Sequence, residues 1–349
     1  MQTQRISSPH LKPPIQVTDI MKGVIYALIP GIAVMFWLYG WSFIINIFIA
    51  ISSALIFEAI ALYLRQRPVK IYLYDGSALL TAILIALAIP TLVPWWIVVL
   101  GSFFAIVMTK QLYGGLGYNV FNPAMVAYAI LLISFPEQMS ILWQNISNEG
   151  QSLNLIDSIN FKFFNELPAD ISIDAITSAT PLDSIKTILS SGAATVSELK
   201  SQSFDNNIYG VIAGSNVEWI NLAFLAGGLW MIYTKLITWH IPVSMLLSLL
   251  ICSLLLGYGI DSDLHPSPLF HLFTGASMLG AFFIATDPVS ASTTPKGKIV
   301  FGAGIGCLIY AIRTWGGYPD AIAFAVILMN ITVPVIDYYT QPRVYGHDK

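Results

Sequence analysis

Charge is what this sequence has least of. Only 10% of its 349 residues are Asp, Glu, Lys or Arg, whereas a soluble domain carries about 25%. A deficit of this size means that most of the surface faces lipid rather than water. Because 56% of the residues are hydrophobic, we expect an all-α membrane protein that crosses the bilayer many times.

Cysteine and metal-ligand spacing are scarce as well. The two cysteines, Cys252 and Cys307, lie in apolar runs, and they are too few for an iron–sulfur cluster, which needs about four ligands. The five histidines show no metal-ligand spacing, so no metal site is predicted. No Gly-rich loop follows a strand pattern, and nothing in the sequence predicts a nucleotide fold or binding to nucleic acid.

Apolar runs long enough to approach a membrane span dominate what is present. A spanning helix needs roughly 17–25 apolar residues, and ten runs are predicted to be spans, at about 22–39, 42–63, 76–91, 93–110, 121–136, 215–234, 241–259, 269–286, 298–313 and 319–338. With alternating sides, 12 of the 16 basic residues then fall on the side of the N-terminus. The positive-inside rule therefore places both termini in the cytoplasm.

One long polar loop, about 137–214, interrupts the apolar runs. It holds nine acidic and three basic residues, a net charge of −6, and a segment poor in basic residues is typical of the outer side of the membrane. An unstructured loop of this length is uncommon. We expect it to fold or to carry function.

The two halves of the chain repeat each other weakly. Asp75-Gly76-Ser77 is similar to Thr274-Gly275-Ala276-Ser277, and Gly114-Gly115 has a counterpart in Gly316-Gly317 at a nearly equal offset. Because each half holds five predicted spans, the second copy would be inverted relative to the first. The predicted domains are a first five-helix repeat (1–136), the loop (137–214) and a second five-helix repeat (215–349).

Thr180 is the most informative residue of the loop. Thr180-Pro181-Leu182-Asp183 is a good helix start, with an N-cap threonine, proline at the first position and an acid in the first turn. A helix N-terminus also favours a phosphate. The local pattern is therefore compatible with a plain cap and with a phosphate on Thr180.

The segment from Asp174 to Leu182, Asp-Ala-Ile-Thr-Ser-Ala-Thr-Pro-Leu, resembles the flavin attachment motif of a family of membrane redox proteins. This family comprises the D subunit of the Rnf complex and the B subunit of the sodium-pumping NADH:quinone reductase. The resemblance implies FMN joined through its phosphate to Thr180, with Asp174 and Ser178 beside it. Ser178 stands where the family often has glycine, which is a small change.

Three further stretches resemble the same family: Gly117 to Ala124, Phe282 to Ser292, and Gly316 to Asn330. The resemblance implies a non-covalent riboflavin between the halves, with Asn119, Asn122 and Asp287 as its candidate binding residues. The local sequence is equally compatible with an ordinary Asn-Pro helix entry at Asn122 and with a helix-ending turn at Asp287. Glu58 lies within the second apolar run. A carboxylate there either serves an ion path or is hydrogen-bonded between helices.

By resemblance, the protein is the D subunit of a ferredoxin:NAD oxidoreductase complex that couples electron flow to Na⁺ or H⁺ movement. No residue is predicted to be catalytic on its own. The expected partners are the A, B, C, E and G subunits of the Rnf complex, a flavin transferase and the lipid of a bacterial inner membrane, with the loop in the periplasm. Alternatives are the B subunit of the quinone reductase, a urea-transporter-like channel without flavin, and a scaffold that anchors partner subunits.

Overall fold

A computed structural model describes residues 16–145, 153–169, 171–192, 195–201, 209–210, 214, 216–318 and 320–341. Over these residues the regular structure consists of helices and two isolated antiparallel bridges, Gln144–Thr177 and Tyr209–Gly214. The predicted all-α class is confirmed for this part of the chain. Residues 1–15 of the first predicted repeat, residues 342–349 of the second and parts of the 137–214 loop lie outside the described residues.

The helices before the loop carry most of the first predicted repeat. In chain order they are α1 (Val17–Tyr39), α2 (Trp41–Leu64), α3 (Val69–Leu73), α4 (Ser77–Ala88), α5 (Trp95–Phe103), α6 (Pro123–Ser134) and α7 (Pro136–Ile141). α5 continues as a π-helical segment over Phe104–Gln111.

Four short helices belong to the loop, and six more follow it among the described residues. The loop helices are α8 (Leu155–Phe164), α9 (Ile173–Ile176), α10 (Pro181–Ser191) and α11 (Val196–Ser201). The later helices are α12 (Val217–Tyr233), α13 (His240–Ser253), α14 (Pro268–Phe273), α15 (Ser277–Leu279), α16 (Pro295–Trp315) and α17 (Ile322–Thr340). π-helical segments extend α13 over Leu254–Tyr258 and α15 over Gly280–Ile284.

Five of the described helices have the length and apolarity needed to cross a bilayer: α1, α2, α13 with its π segment, α16 and α17. Four shorter apolar helices are α4, α5 with its π segment, α6 and α12. The chain is therefore a multi-pass membrane protein in which nine of the ten predicted runs each coincide with one helix over the described residues.

The prediction of one continuous helix over 269–286 is wrong. The chain there breaks into α14 and α15, with Thr274 in extended conformation. Gly275 follows with φ +64, a left-handed conformation that glycine adopts without a steric penalty. The break places polar backbone groups of the second half within the helical body.

Close backbone contacts join the helices. A Cβ added to Gly306 of α16 would lie 2.3 Å from Met245 O of α13. Likewise, a Cβ on Gly227 of α12 would lie 2.0 Å from Ala27 O of α1. Small residues permit such approaches in membrane helix pairs, and the second contact ties the two halves of the chain together.

The loop docks onto the helical body through a buried lysine. Lys162 of α8 is 2% exposed, and its Nζ donates to Asn46 Oδ1 at 2.5 Å, Thr91 O at 2.7 Å and Val93 O at 3.2 Å. Burial lowers the pKa of Lys162 to about 7. The hydrogen bonds to these three oxygens offset the free-energy cost of burying the lysine. The oxygens belong to α2 and to the turn that follows α4.

Apolar and hydroxyl contacts complete the docking of α8. Ser42 Oγ of α2 donates to Ser158 Oγ at 3.0 Å in a buried position. A small apolar core joins the turn after α4 to the loop, and it consists of Leu92, Leu153, Phe161 and Ile176. The part of the loop that leads to Thr180 is therefore packed against the membrane helices.

We predict that Lys162→Met loosens this docking. Three buried acceptors would lose their donor, and each unsatisfied group costs roughly 1–3 kcal/mol. In detergent, limited proteolysis should cut the loop about tenfold faster or more, because cleavage follows the population of the open form. Lys296→Met is the control, since Lys296 is exposed at the start of α16. Equal cleavage of the two variants would contradict the docking role.

Candidate functional site

The backbone just before Thr180 is fixed against the segment that follows α7. Ser178 N donates to Trp143 O at 2.9 Å, and Thr177 forms an antiparallel bridge with Gln144. Paired backbone at two successive residues restricts the movement of the next ones. The segment therefore delivers Thr180 to one place at the edge of the helical body.

Thr180 caps α10, as its sequence context predicts. Its backbone is extended (φ −65, ψ 153), Pro181 is the first helical residue, and the Thr180 Oγ1 accepts from Asp183 N at 3.3 Å. Gly192 ends the helix with φ +66. The hydroxyl thus lies at the positive end of an 11-residue helix, where negative charge is favoured.

α10 is held against the end of α16 by Lys186. The Lys186 Nζ donates to Gly316 O, to Tyr318 O at 3.2 Å and to Ile312 O at 3.4 Å. A helix end leaves carbonyls without an intrahelical partner, and the lysine supplies donors where α16 stops. A separate apolar cluster joins α10 to α11 and α14 and consists of Leu182, Ile185, Leu199 and Phe270.

Asp183 and Lys186 are titratable groups close to Thr180 on α10. Burial raises the pKa of Asp183, and the positive charge of Lys186 acts in the opposite direction. Burial lowers the pKa of Lys186, and Asp183 counteracts this effect. The two groups therefore stabilise each other's charged forms beside the cap.

Thr180 lines a cavity between the loop and both halves of the chain, which we call the Thr180 cavity. It has a volume of about 120 Å³. Thr180 and Asp183 belong to its polar side together with Asp320. The remaining wall is largely apolar and includes Met35, Tyr39, Leu87, Met125, Leu132, Phe224 and Leu279. The cavity is thus mostly apolar with a few polar groups, and it is smaller than the roughly 300–1,000 Å³ of a typical small-molecule site.

A buried arginine stands behind this cavity. Arg313 is 5% exposed, and it donates to His271 O at 2.7 Å and to Ser277 Oγ at 3.0 Å. Its Nη2 also lies 3.5 Å from Asp320 Oδ1. A Cβ added to the cavity residue Gly275 would lie 2.9 Å from the Arg313 Nη2. The Gly275 backbone and the Asp320 carboxylate therefore stand between the guanidinium and the cavity.

Asp174 and Ser178 are not part of the described wall of the Thr180 cavity. Asp174 is exposed in the short helix α9, and Ser178 is half-buried, with its backbone bound to Trp143. The structure therefore separates these two predicted residues from the cavity that Thr180 lines. Asp174 lies on the exposed surface of the loop.

The other three predicted residues lie together in a second cavity, which we call the Asn119 cavity. Its volume is about 360 Å³, and Asn119, Asn122 and Asp287 line it. Lys110 and Ser77 belong to the same wall. This size falls in the range of small-molecule sites.

Asn119 and Asn122 differ in how their polar groups are satisfied. Asn122 caps α6 by accepting from Ala124 N at 3.0 Å, and its Nδ2 donates to Ile284 O of the second half at 3.3 Å. Asn119 donates to Phe121 O, but its buried Oδ1 has no partner among the described residues. Because an unsatisfied buried acceptor is costly, this oxygen points to a ligand that donates a hydrogen bond.

Asp287 is bound within its own turn. Its Oδ2 accepts from Ser290 Oγ at 2.7 Å and its Oδ1 from Val289 N at 3.4 Å. This geometry is that of a turn-stabilising acid, and the side chain also borders the Asn119 cavity. The turn keeps the carboxylate near the cavity.

Lys110 and Glu58 form a buried ion pair at the Asn119 cavity. Lys110 Nζ lies 2.5 Å from Glu58 Oε1 and donates to Ser77 Oγ at 2.6 Å. Gln111 Nε2 donates to the same Glu58 oxygen at 2.9 Å. The sequence suggested that Lys110 lies on the cytoplasmic side, but the structure buries it. Glu58 is thus hydrogen-bonded between helices, to a lysine and a glutamine of the π segment after α5.

The two cavities lie toward opposite ends of the same helices. α1 contributes Met21 and Val24 to the Asn119 cavity but Met35 to the Thr180 cavity. α4 contributes Leu84 to the first and Leu87 to the second. At 1.5 Å per residue, the contributions of α1 from Val24 to Met35 are roughly 16 Å apart.

Sequence reasoning missed the site roles of Lys110 and Arg313. Both are buried cations at the end of an apolar run and shortly before a Gly-Gly pair. A charge in that position is costly in lipid and usually paired. This signal was present in the sequence. The positive-inside count, however, only assigned each basic residue to one side of the membrane and did not consider that Lys110 and Arg313 are buried.

Comparison with known proteins places this arrangement among redox subunits. The chain matches the model of the NQR2, RnfD, RnfE family over residues 4–346. It is 51% identical to a protein of Shewanella amazonensis over 98% of this chain and 97% of the relative. It is 49% identical to a protein of Escherichia fergusonii and 48% identical to one of Citrobacter koseri, over 98% of each chain.

All three relatives are named as the D subunit of an ion-translocating oxidoreductase complex. The matches extend over nearly the full length of both partners and include the loop as well as the helical body. On this evidence the chain belongs to the NQR2, RnfD, RnfE family.

Proposed function

We propose that the chain is the D subunit of an ion-translocating oxidoreductase complex and that it carries FMN on Thr180 through a phosphodiester. The names and coverage of the relatives support the first part. One observation carries the second: Thr180 is at once the N-cap of α10 and a wall residue of an apolar cavity. A tether at that atom would direct an attached ring into the protein.

The residues around Thr180 suit a tethered flavin. The N-terminus of α10 favours the phosphate charge, and the apolar wall excludes water from a ring. Lys186 keeps α10 fixed against α16, so the attachment point does not drift. A bound flavin supplies acceptance and donation of one or two electrons; the protein places it and sets its potential.

The Asn119 cavity is our proposed site for a non-covalent riboflavin. The Asn119 Oδ1, which no described residue satisfies, would accept from a ring N–H. Lys110 and Ser77 offer positive charge and a hydroxyl in the same wall, and Asn122 and Asp287 border this site. Two carriers toward opposite ends of α1 and α4 would form a path for electrons through the membrane.

We further propose ten membrane segments in two inverted halves (1–136 and 215–349), separated by the flavin-bearing loop 137–214. Both termini would be cytoplasmic and the loop periplasmic, in a bacterial inner membrane. The distribution of basic residues supports this orientation. The broken segment α14–α15 would fill the place of one span, as broken helices do in other inverted-repeat proteins.

The proposed role in the complex is electron transfer coupled to movement of Na⁺ or H⁺. Neighbouring subunits of the complex, of types A, B, C, E and G, would supply the electron donor and acceptor sites. A separate flavin transferase would attach the FMN from the outer side, where Asp174 is exposed. The chain is not proposed to be a catalyst by itself.

Covalent attachment is tested by in-gel flavin fluorescence after co-expression with a flavin transferase. Thr180→Asn should abolish the fluorescent band, because asparagine is an equally good N-cap but has no hydroxyl to esterify. Thr187→Ala, which removes an exposed hydroxyl of α10 outside the motif, should keep it. A dark wild-type band, beside a known flavinylated protein that fluoresces, would favour a solute channel instead.

The riboflavin site is tested by extracting flavin from the native protein. Asn119→Leu should release the extractable flavin, because it removes the free acceptor and fills part of the cavity. The covalent flavin on the same polypeptide is the internal control and should stay at one per chain. Retention of extractable flavin at the wild-type level would move the proposed site elsewhere.

The proposed orientation is tested by thiol labelling in a Cys252→Ser, Cys307→Ser background. Asp174→Cys should react with a membrane-impermeant maleimide added to intact spheroplasts, because Asp174 is exposed on the loop. Lys296→Cys, exposed at the start of α16, should react only after permeabilisation. Labelling of Lys296→Cys in intact spheroplasts, with Asp174→Cys reacting only after permeabilisation, would show the opposite orientation.

A further inference from the structure

The two halves of the chain share a structural device that the sequence repeat only hints at. Gly76 has φ +80 and Gly275 has φ +64, so each half turns through a left-handed glycine. A serine then begins the next helix, Ser77 in α4 and Ser277 in α15. The repeat therefore preserves a turn geometry as well as a residue pattern.

A buried cation binds the serine in each half. Lys110 Nζ donates to Ser77 Oγ at 2.6 Å, and Arg313 Nη2 donates to Ser277 Oγ at 3.0 Å. Both cations lie near the end of a long apolar helix and shortly before a Gly-Gly pair. The two residues hold equivalent places, although one is lysine and the other arginine.

Each cation also pairs with an acidic residue, but the two pairs differ in strength. Glu58 Oε1 lies 2.5 Å from Lys110 Nζ, whereas Asp320 Oδ1 lies 3.5 Å from Arg313 Nη2. The Asp320 side chain is 26% exposed and that of Glu58 only 1%. Both cations are thus paired, as buried charges must be.

Each cation–serine pair lies near a different cavity, but only the first pair lines one. Lys110 and Ser77 line the Asn119 cavity, while Glu58 stands behind them on α2. Arg313 lies directly behind Gly275 and Asp320 of the Thr180 cavity. In the first case the positive end of the ion pair faces the cavity. In the second, the positive charge is one residue behind the wall.

We propose that the Lys110–Glu58 pair raises the reduction potential of the flavin bound in the Asn119 cavity, because its positive end faces that cavity. The Arg313–Asp320 pair, whose carboxylate faces the Thr180 cavity, lowers the potential of the flavin on Thr180. The proposal rests on the proposed function, because it needs a flavin in each cavity. Reduction of a flavin by two electrons and one proton, supplied by a redox partner of the complex and by solvent, adds one negative charge to the ring. A fixed cation nearby stabilises that charge, and stabilises it more strongly in a medium of low dielectric constant.

This role differs from a purely structural one. If the cations only anchored the two turns, their removal would lower thermal stability without changing the potential of a flavin that remains bound. If the pairs act on the ring, neutralising Lys110 and Glu58 must lower the potential of the flavin in the Asn119 cavity only, and neutralising Arg313 and Asp320 must raise that of the flavin on Thr180 only. The two cavities therefore serve as controls for each other.

The test is a redox titration of the full-length protein in two single-flavin backgrounds. Thr180→Asn leaves only the flavin of the Asn119 cavity, and Asn119→Leu leaves only the covalent flavin. Into each background we would introduce Lys110→Met with Glu58→Gln, and separately Arg313→Met with Asp320→Asn. Neutralising both members of a pair avoids leaving a buried charge unpaired, which would unfold the protein. Lys110→Arg is the conservative variant.

In the Thr180→Asn background, we expect Lys110→Met with Glu58→Gln to lower the equilibrium constant for flavin reduction at least tenfold. Lys110→Arg should keep this constant near its value with Lys110. Tenfold corresponds to about 59 mV for a one-electron couple and about 29.6 mV for a two-electron couple. Lys110→Met with Glu58→Gln should leave the covalent flavin unaltered. Arg313→Met with Asp320→Asn should instead raise the equilibrium constant for reduction of the covalent flavin, because it removes the carboxylate that faces the Thr180 cavity, and it should leave the other flavin unaltered.

Equal flavin potentials in all variants, with the one flavin of each background retained, would overturn the inference and leave the proposed function standing. The Lys110→Met, Glu58→Gln variant could lose its flavin at an unchanged melting temperature while Lys110→Arg keeps it. That result would support a required cation at the wall of the Asn119 cavity. Absence of flavin from the wild-type chain would instead refute the proposed function, and the inference with it.

Discussion

Backbone groups left unpaired where helices stop within an apolar body are the constraint on which this structure depends. Lipid offers no hydrogen bonds, so each such group needs a partner from the protein. At the turn after α4, Asn46 Nδ2 donates to Pro90 O and Lys162 donates to Thr91 O and Val93 O. The polar loop is thereby attached to the membrane helices by the same contacts that satisfy the break.

The break between α14 and α15 follows the same rule. Asn221 Nδ2 donates to Phe273 O at 3.0 Å and to Gly275 O at 2.9 Å, and its Oδ1 accepts from Met278 N at 3.2 Å. Arg313 satisfies further carbonyls of the break. These side chains line neither described cavity; they fix the break whose residues Gly275 and Ala276 form part of the Thr180 cavity wall.

The separation of the two cavities is compatible with the proposed electron path, in which each cavity would hold one carrier. Residues toward opposite ends of α1 and α4 line different cavities, and Asn122 ties the first half to the π segment after α15. Carriers held by rigid helices keep a constant distance. The long loop contributes Thr180 and the first turn of α10 to this arrangement, and Lys186 and Lys162 hold it in place.

Composition and charge by themselves determined that this is a multi-pass helical membrane protein, because lipid exposure demands apolar runs and depletes charge. The local pattern Thr180-Pro181-Leu182-Asp183 also determined the helix start, since capping depends on neighbouring residues only. Three things required the tertiary structure: the break within 269–286, the burial of Lys110, Lys162 and Arg313, and the separation of Asp174 and Ser178 from the Thr180 cavity. Each depends on which distant residues supply hydrogen bonds and opposite charge, and packing alone decides those partners.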